Sequence, residues 1–213
     1  MKNYLAVLAA LALATPLAAQ TSFGVRGGMT LSTLVASEED DEVEVSYTTG
    51  YHFGVTASLG SGGPGLLLSA AYAQRGAALT LGLPGLDFGE DSEFDLTVDL
   101  AYVDIGAMGK IPIGTGPYLL AGPTVGLRIA CSTAIAGQGV NLTADCGEGM
   151  EDDPYKTFDF GVSGGAGMSF GAGGRGVVVE ALYGFGILSI VDGGDDTVRN
   201  RGFTIRAGVD FGR

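Results

Sequence analysis

Apolar residues recur at every second position over several stretches of this chain. In residues 158–170, Phe158, Phe160, Val162, Ala166, Met168 and Phe170 share one parity, while Asp159, Gly161, Ser163, Gly165, Gly167 and Ser169 share the other. A helix would mix the two sets, whereas a strand puts each on its own face. Residues 203–211 repeat the pattern, with Phe203, Ile205, Ala207, Val209 and Phe211 against Thr204, Arg206, Gly208 and Asp210. Residues 51–59 and 23–32 do the same, and residues 66–76, 94–111, 118–131 and 177–188 follow it less cleanly. In 94–111 the apolar parity changes from Leu96, Val98 and Leu100 to Val103, Ile105 and Ala107. That change predicts a β-bulge or a strand boundary near Ala101; the alternative is that the residues before it belong to a loop. The pattern therefore predicts eight strands. Three connections are short and rich in Gly and Pro (60–65, 112–117 and 171–176), and four are longer and acidic (35–49, 77–93, 132–156 and 189–200).

Composition decides which face looks out. Glycine accounts for 38 of 213 residues, the formal charge is −13, and the mean hydropathy is +0.32. High apolarity and high negative charge coexist only if they sit in different places, and the acids do cluster in and beside the predicted long connections. The face opposite the apolar one carries Gly, Ser, Arg and Asp, which suits a small, crowded or wet interior. A soluble barrel has the reverse arrangement, with its apolar face inside. Apolar residues facing outward require lipid. Helices do not supply the spans: residues 111–127 carry no charge, but Pro112, Pro117, Pro123 and four glycines break any helix there. A closed barrel is the remaining structure that satisfies its own backbone in lipid. The fold class expected is all-β, a transmembrane antiparallel up-and-down β-barrel of eight strands. Tyr51, Tyr72, Tyr118, Tyr183, Phe203 and Phe211 fall near predicted strand ends as interfacial girdles.

Lys2, the apolar residues 5–17 and the small-residue exit Ala18-Ala19-Gln20 have the layout of a secretory signal peptide. The domain division expected is 1–20 signal peptide and 21–213 outer-membrane barrel, with the cut beside Ala19 or Gln20. The partners expected are outer-membrane lipid and the barrel assembly machinery. An acidic chain without a basic patch is a poor match for nucleic acid.

Four segments also resemble strand motifs of the PorT-like outer-membrane β-barrel family of Bacteroidetes-type bacteria. They are Phe23-Gly24-Val25-Arg26-Gly27-Gly28, Pro117-Tyr118-Leu119-Leu120-Ala121-Gly122-Pro123, the run from Asp159 through Gly167, and Tyr183-Gly184-Phe185-Gly186-Ile187. They occur in order and span nearly the whole mature chain. Such barrels usually end on an aromatic residue that the assembly machinery reads; here Gly212 and Arg213 follow Phe211. The resemblance implies an outer-membrane barrel and no particular reaction.

The candidate chemistry is sparse. Gly171, Gly173 and Gly176 spell G-x-G-x-x-G, but strand-like Val177-Val178-Val179 follows where a nucleotide site needs a helix, so a turn is expected. His52, the one histidine, points inward on the alternation, where Asp99 or Asp104 are candidate acids and Ser58 or Ser69 candidate nucleophiles. An interior-filling role is the competing reading. Cys131 and Cys146 bracket about 15 residues, and in an exported chain an even count favours a disulfide over free thiols. The run Glu38-Glu39-Asp40-Asp41-Glu42 lacks the pattern of a calcium loop and is expected to be solvated, with divalent-cation bridging as the alternative. No cofactor or metal is expected. Arg26, Arg75, Asp104, Lys110, Arg128, Asp159, Glu180, Arg206 and Asp210 take inward positions, because charges facing lipid are costly. Opposite charges paired in so narrow a lumen would close it.

The leading functional expectation is a non-enzymatic outer-membrane protein with a structural or surface-interaction role. A narrow pore for small solutes comes second. A barrel enzyme built on His52, acting on lipid or peptide, comes third.

Overall fold

The computed structural model describes residues 21–36, 44–60, 63–82, 93–137, 140–146, 155–172, 175–191 and 197–212. The expected signal peptide, residues 1–20, lies outside them. So does the acidic run 38–42. The strands are β1 (Thr21–Ala36), β2 (Glu44–Leu59), β3 (Gly65–Gly82), β4 (Glu93–Pro112), β5 (Pro117–Gly137), β6 (Val140–Asp145), β7 (Phe158–Ala172), β8 (Arg175–Gly186) and β9 (Val198–Phe211). The sheet runs β4-β3-β2-β1-β9-β8-β7-β5-β6, all antiparallel, and a further β4–β5 pairing closes it. Eight strands form the barrel; β6 pairs with the far end of β5 as a flap, Gly137 opposite Val140.

Alternation governs the wall. On β7, Phe158 and Phe170 are 46% and 57% exposed while Asp159 between their faces is 4% exposed. The turn end is compact. Gly114 and Gly116 have φ of 72° and 117°, the left-handed values that glycine adopts without a Cβ clash, and they reverse the chain between β4 and β5. The G-x-G-x-x-G stretch lies in the β7–β8 hairpin, with Gly171 opposite Gly176 and no helix after it.

Three expectations change. First, β4 carries no bulge. Its pairing with β3 is unbroken from Glu93 to Lys110. The irregularity lies across from Ala101, where β5 inserts the extra residue Ile129. The even-numbered β4 residues Val98, Leu100 and Tyr102 point inward, at 4%, 1% and 1% exposure. The apparent change of parity marks a change in the interior's filling, from polar to apolar towards the loop end. Second, the long connections are shorter than expected. β1 runs on to Ala36, β3 to Gly82 and β5 to Gly137, and the connection 132–156 contains β6. Ladder pairing continues past the apolar belt, where the outward face no longer needs to be apolar and the alternation that marks a strand disappears. Third, Tyr118 is not in a girdle; it is 2% exposed, inside.

Candidate functional site

The lumen holds the unusual chemistry, in three layers. The layer towards the short turns centres on Glu180 of β8, which is 1% exposed. Its Oε2 accepts from Arg206 Nε of β9 at 2.5 Å and lies 3.4 Å from Arg26 Nε of β1. Its Oε1 accepts from the Tyr118 hydroxyl of β5 at 2.6 Å. Arg26 also reaches Asp210 Oδ1 at 2.7 Å. Two guanidiniums thus meet two carboxylates, the arrangement that lets charges be buried. The Tyr118 ring lies over Gly167: a Cβ there would come within 2.4 Å of it. The room that the small residues of β7 leave is filled at this level by an aromatic ring. Leu67, Met108, Leu120 and Leu182 pack beside it. Lys110 stands 4.1 Å over the same ring.

The second layer centres on Arg75 of β3. It pairs with Asp104 of β4 and, at 3.2 Å, with Asp159 of β7. Its guanidinium lies 4.9 Å from the Tyr102 ring centre. Asn200 Nδ2 donates to Asp159 Oδ2 at 2.9 Å and to the Tyr102 hydroxyl at 3.3 Å.

The third layer is apolar and fills the mouth. Val98, Leu100, Tyr102, Cys131 and Ile190 form it, with Leu34, Cys146, Tyr155, Val191 and Val198 packed against it. Ile190 comes from the segment after β8 and is fully buried. Its amide donates to Val198 O at 2.8 Å and its carbonyl accepts from Lys156 N at 2.6 Å. Arg128 of β5 donates to the carbonyls of Tyr155, at 2.6 Å, and Lys156, at 3.2 Å, tying down the segment before β7 that meets Ile190. Cys131 and Cys146 are joined by a disulfide across 15 residues, with Cα atoms 5.3 Å apart, binding the flap to the rim. The inserted Ile129 is what turns Cys131 inward. Breaking this bond is expected to lower stability by about 3 kcal/mol on the chain-entropy model. A non-reduced digest should yield the two cysteine peptides as one linked species; recovery of both as free thiols would contradict this.

His52 faces inward at 8% exposure. Its Nε2 sits 3.3 Å from Arg206 Nη1. Among the described residues no hydrogen bond joins it to a serine or a carboxylate. Asp99 is on the outer face of β4 and Asp104 is taken by Arg75, so neither expected acid meets the imidazole. Its Nε2 thus faces a guanidinium and not a nucleophile that it could deprotonate. Tyr118, expected in a girdle, and Asn200, expected in the connection 189–200, both lie inside. Asn200 could have been found by running the even-numbered set of β9 back past Gly202.

The described residues contain no group of three or more potential His, Cys, Asp or Glu metal ligands. A family model described as outer membrane protein beta-barrel domain matches residues 18–192. The chain belongs to this family. Its short turns therefore face the periplasm and its long connections the exterior, as in bacterial barrels generally. Among solved structures it is similar to neisserial surface protein A, at 12% identity over 89% of this chain and 97% of that one, with a TM-score of 0.47. It is similar to Ail, the attachment invasion locus protein of Yersinia pestis, at 16% identity over 90% and 99%, TM-score 0.45. It is also similar to OprG from Pseudomonas aeruginosa, at 14% identity over 90% and 96%, TM-score 0.40. A search of curated proteins finds no match. The family's location makes the outward aliphatic and aromatic residues the lipid-facing surface of an outer-membrane protein.

Proposed function

We propose that this outer-membrane barrel is a sealed, non-enzymatic anchor whose exterior connections meet the cell's surroundings. The observation that carries the reading is the occupied lumen: two ion-paired layers and an apolar plug lie across it, beside a chamber of about 80 Å³. Eight strands leave little room beyond what side chains fill, and pairing consumes the field an ion path would need. Segments 37–43, 83–92, 147–154 and 192–196 contain fifteen Asp and Glu and no Lys or Arg. A surface so composed favours cationic contacts and repels anionic ones.

The test is planar-bilayer recording of the purified barrel. No stable unitary currents are expected. Reproducible channels, altered by Glu180→Ala or Arg128→Ala, would establish the pore instead. Hydrolysis of lipid or peptide that is lost in His52→Ala would establish the enzyme.

We further assign the chain to the PorT-like group on its four ordered strand motifs, take residues 1–20 as a signal peptide, and take the barrel assembly machinery as the partner in insertion. The interior roles of Arg26, Arg75, Asp104, Lys110, Arg128, Asp159, Glu180, Arg206 and Asp210 belong to the same proposal: they close the lumen. N-terminal sequencing of protein from outer-membrane fractions is expected to begin beside Ala19 or Gln20; a sequence starting at Met1 would contradict export by cleavage.

A further inference from the structure

Two arginines of β9 stand on the face that the rest of the strand gives to lipid. Asn200 turns inward to Asp159 and Arg206 inward to Glu180, so alternation sets Arg199 and Arg201 outward. Arg201 stands opposite Phe185 of β8, and its guanidinium lies 4.7 Å from the centre of that ring. One step towards the midplane on the same face, the Tyr183 and Phe203 rings meet with centres 4.8 Å apart. Arg199 stands opposite Val35 of β1. Among the described residues neither arginine makes an ion pair, and the Nε of each is buried without a hydrogen-bond partner. Both residues remain partly exposed. The acids of β7, β8 and β9 are Asp159, Glu180 and Asp210, all buried in the lumen, and β1 has none.

Their depth identifies what they meet. Phe211 closes the outward face of β9 at the periplasmic end. From there to Arg201 the strand rises ~34 Å, or ~26 Å along the membrane normal at a tilt of about 40°. The apolar band of a barrel is about 25 Å tall, so Arg201 falls at its exterior edge and Arg199 a further ~5 Å out. That is the headgroup level of the outer leaflet. The planar guanidinium fork matches phosphate through paired charge-assisted hydrogen bonds. The two side chains leave one face with their Cα atoms about 7 Å apart, a span that one phosphate closes by accepting from both. Stacking on Phe185 positions the Arg201 guanidinium by its face and leaves its edge free to donate. The exterior connections are acidic and repel anionic headgroups; this pair attracts one. We propose that Arg199 and Arg201 form a site for the phosphate of an anionic lipid headgroup in the outer leaflet. The acyl chains would lie along Leu31, Phe203 and Ile205, the exposed apolar residues below it. The site rests on the barrel's place in the outer membrane and not on the sealed lumen.

Native mass spectrometry of the full barrel, released from a neutral detergent, tests this with diphosphorylated lipid A as the probe. The barrel is expected to retain it and to prefer it over the dephosphorylated lipid. Affinity should fall about tenfold or more in Arg199→Gln/Arg201→Gln, the size that a lost charge-assisted hydrogen bond implies. Arg199→Lys/Arg201→Lys keeps the charge without the fork; it should fall between, and it serves if the glutamine pair fails to fold. Arg175→Gln, at the periplasmic end, should bind as the wild type does. Equal retention of the lipid with and without phosphate, or an equal loss in Arg175→Gln, overturns the proposal. Displacement by inorganic phosphate at the lipid's own concentration also overturns it, by making the ligand a free anion. So does binding that appears only in Asp195→Asn/Asp196→Asn, which would show the arginines taken by the chain's own acids just before β9.

Discussion

Replacing Glu180 by alanine is expected to destabilise the barrel by about 3–5 kcal/mol, the cost of removing one partner from a buried ion pair. Glu180 is the meeting point of β1, β5, β8 and β9, since it holds Arg26, Tyr118 and Arg206 at once. Its loss leaves the Arg206 Nε and the Tyr118 hydroxyl buried without acceptors, and it leaves two guanidiniums facing a single carboxylate, Asp210. The space vacated is too enclosed for bulk water to replace the charge. Glu180→Gln keeps an acceptor for Tyr118 and fills the volume, so the part of the loss that survives in this variant comes from the charge and from the amide nitrogen that replaces the acceptor of Arg206 Nε. Urea unfolding in detergent micelles checks both. An effect of about 0.5 kcal/mol, the size of an ordinary surface substitution, would mean that the layer is hydrated and that the lumen is open there.

An arginine at Ala166 should cost about 2–4 kcal/mol, the penalty for a basic side chain near the midplane of a barrel's lipid face. Ala166 lies on the outer face of β7, opposite Leu119 on one side and Ala181 on the other, midway between Phe160 and Phe170. No acid shares that face to receive it. Val162→Arg should cost less, because it sits opposite Phe185, nearer the rim, where a long side chain reaches the headgroups. Ser163→Arg avoids lipid altogether and points into the chamber, so its cost would be steric. Refolding titrations into vesicles measure the series. Equal tolerance at 162, 163 and 166 would show that the apolar face is not in lipid.

The wall of this protein was legible from its residues. Where lipid lies on one side and packed polar groups on the other, each residue's environment is set by parity alone. Period two therefore located the eight barrel strands and their short turns. That logic ends where its cause ends. Beyond the membrane the outward face need not be apolar, so the extensions of β1, β3 and β5 and the whole of β6 leave no mark in the pattern. In β4 the parity of Leu96, Val98 and Leu100 looks out of phase with that of Val103, Ile105 and Ala107. Parity assumes that apolar means outside, and near the mouth the interior is itself apolar. The identity of each partner was decided only by the closed barrel. Curvature brings Asn200 to Asp159 across 41 residues and Tyr118 to Glu180 across 62. One inserted residue, Ile129, turns Cys131 from the wall to the plug. Sequence determines which way each side chain points because that depends on its own strand. Which groups meet in the lumen depends on register and closure, which are properties of all eight strands together.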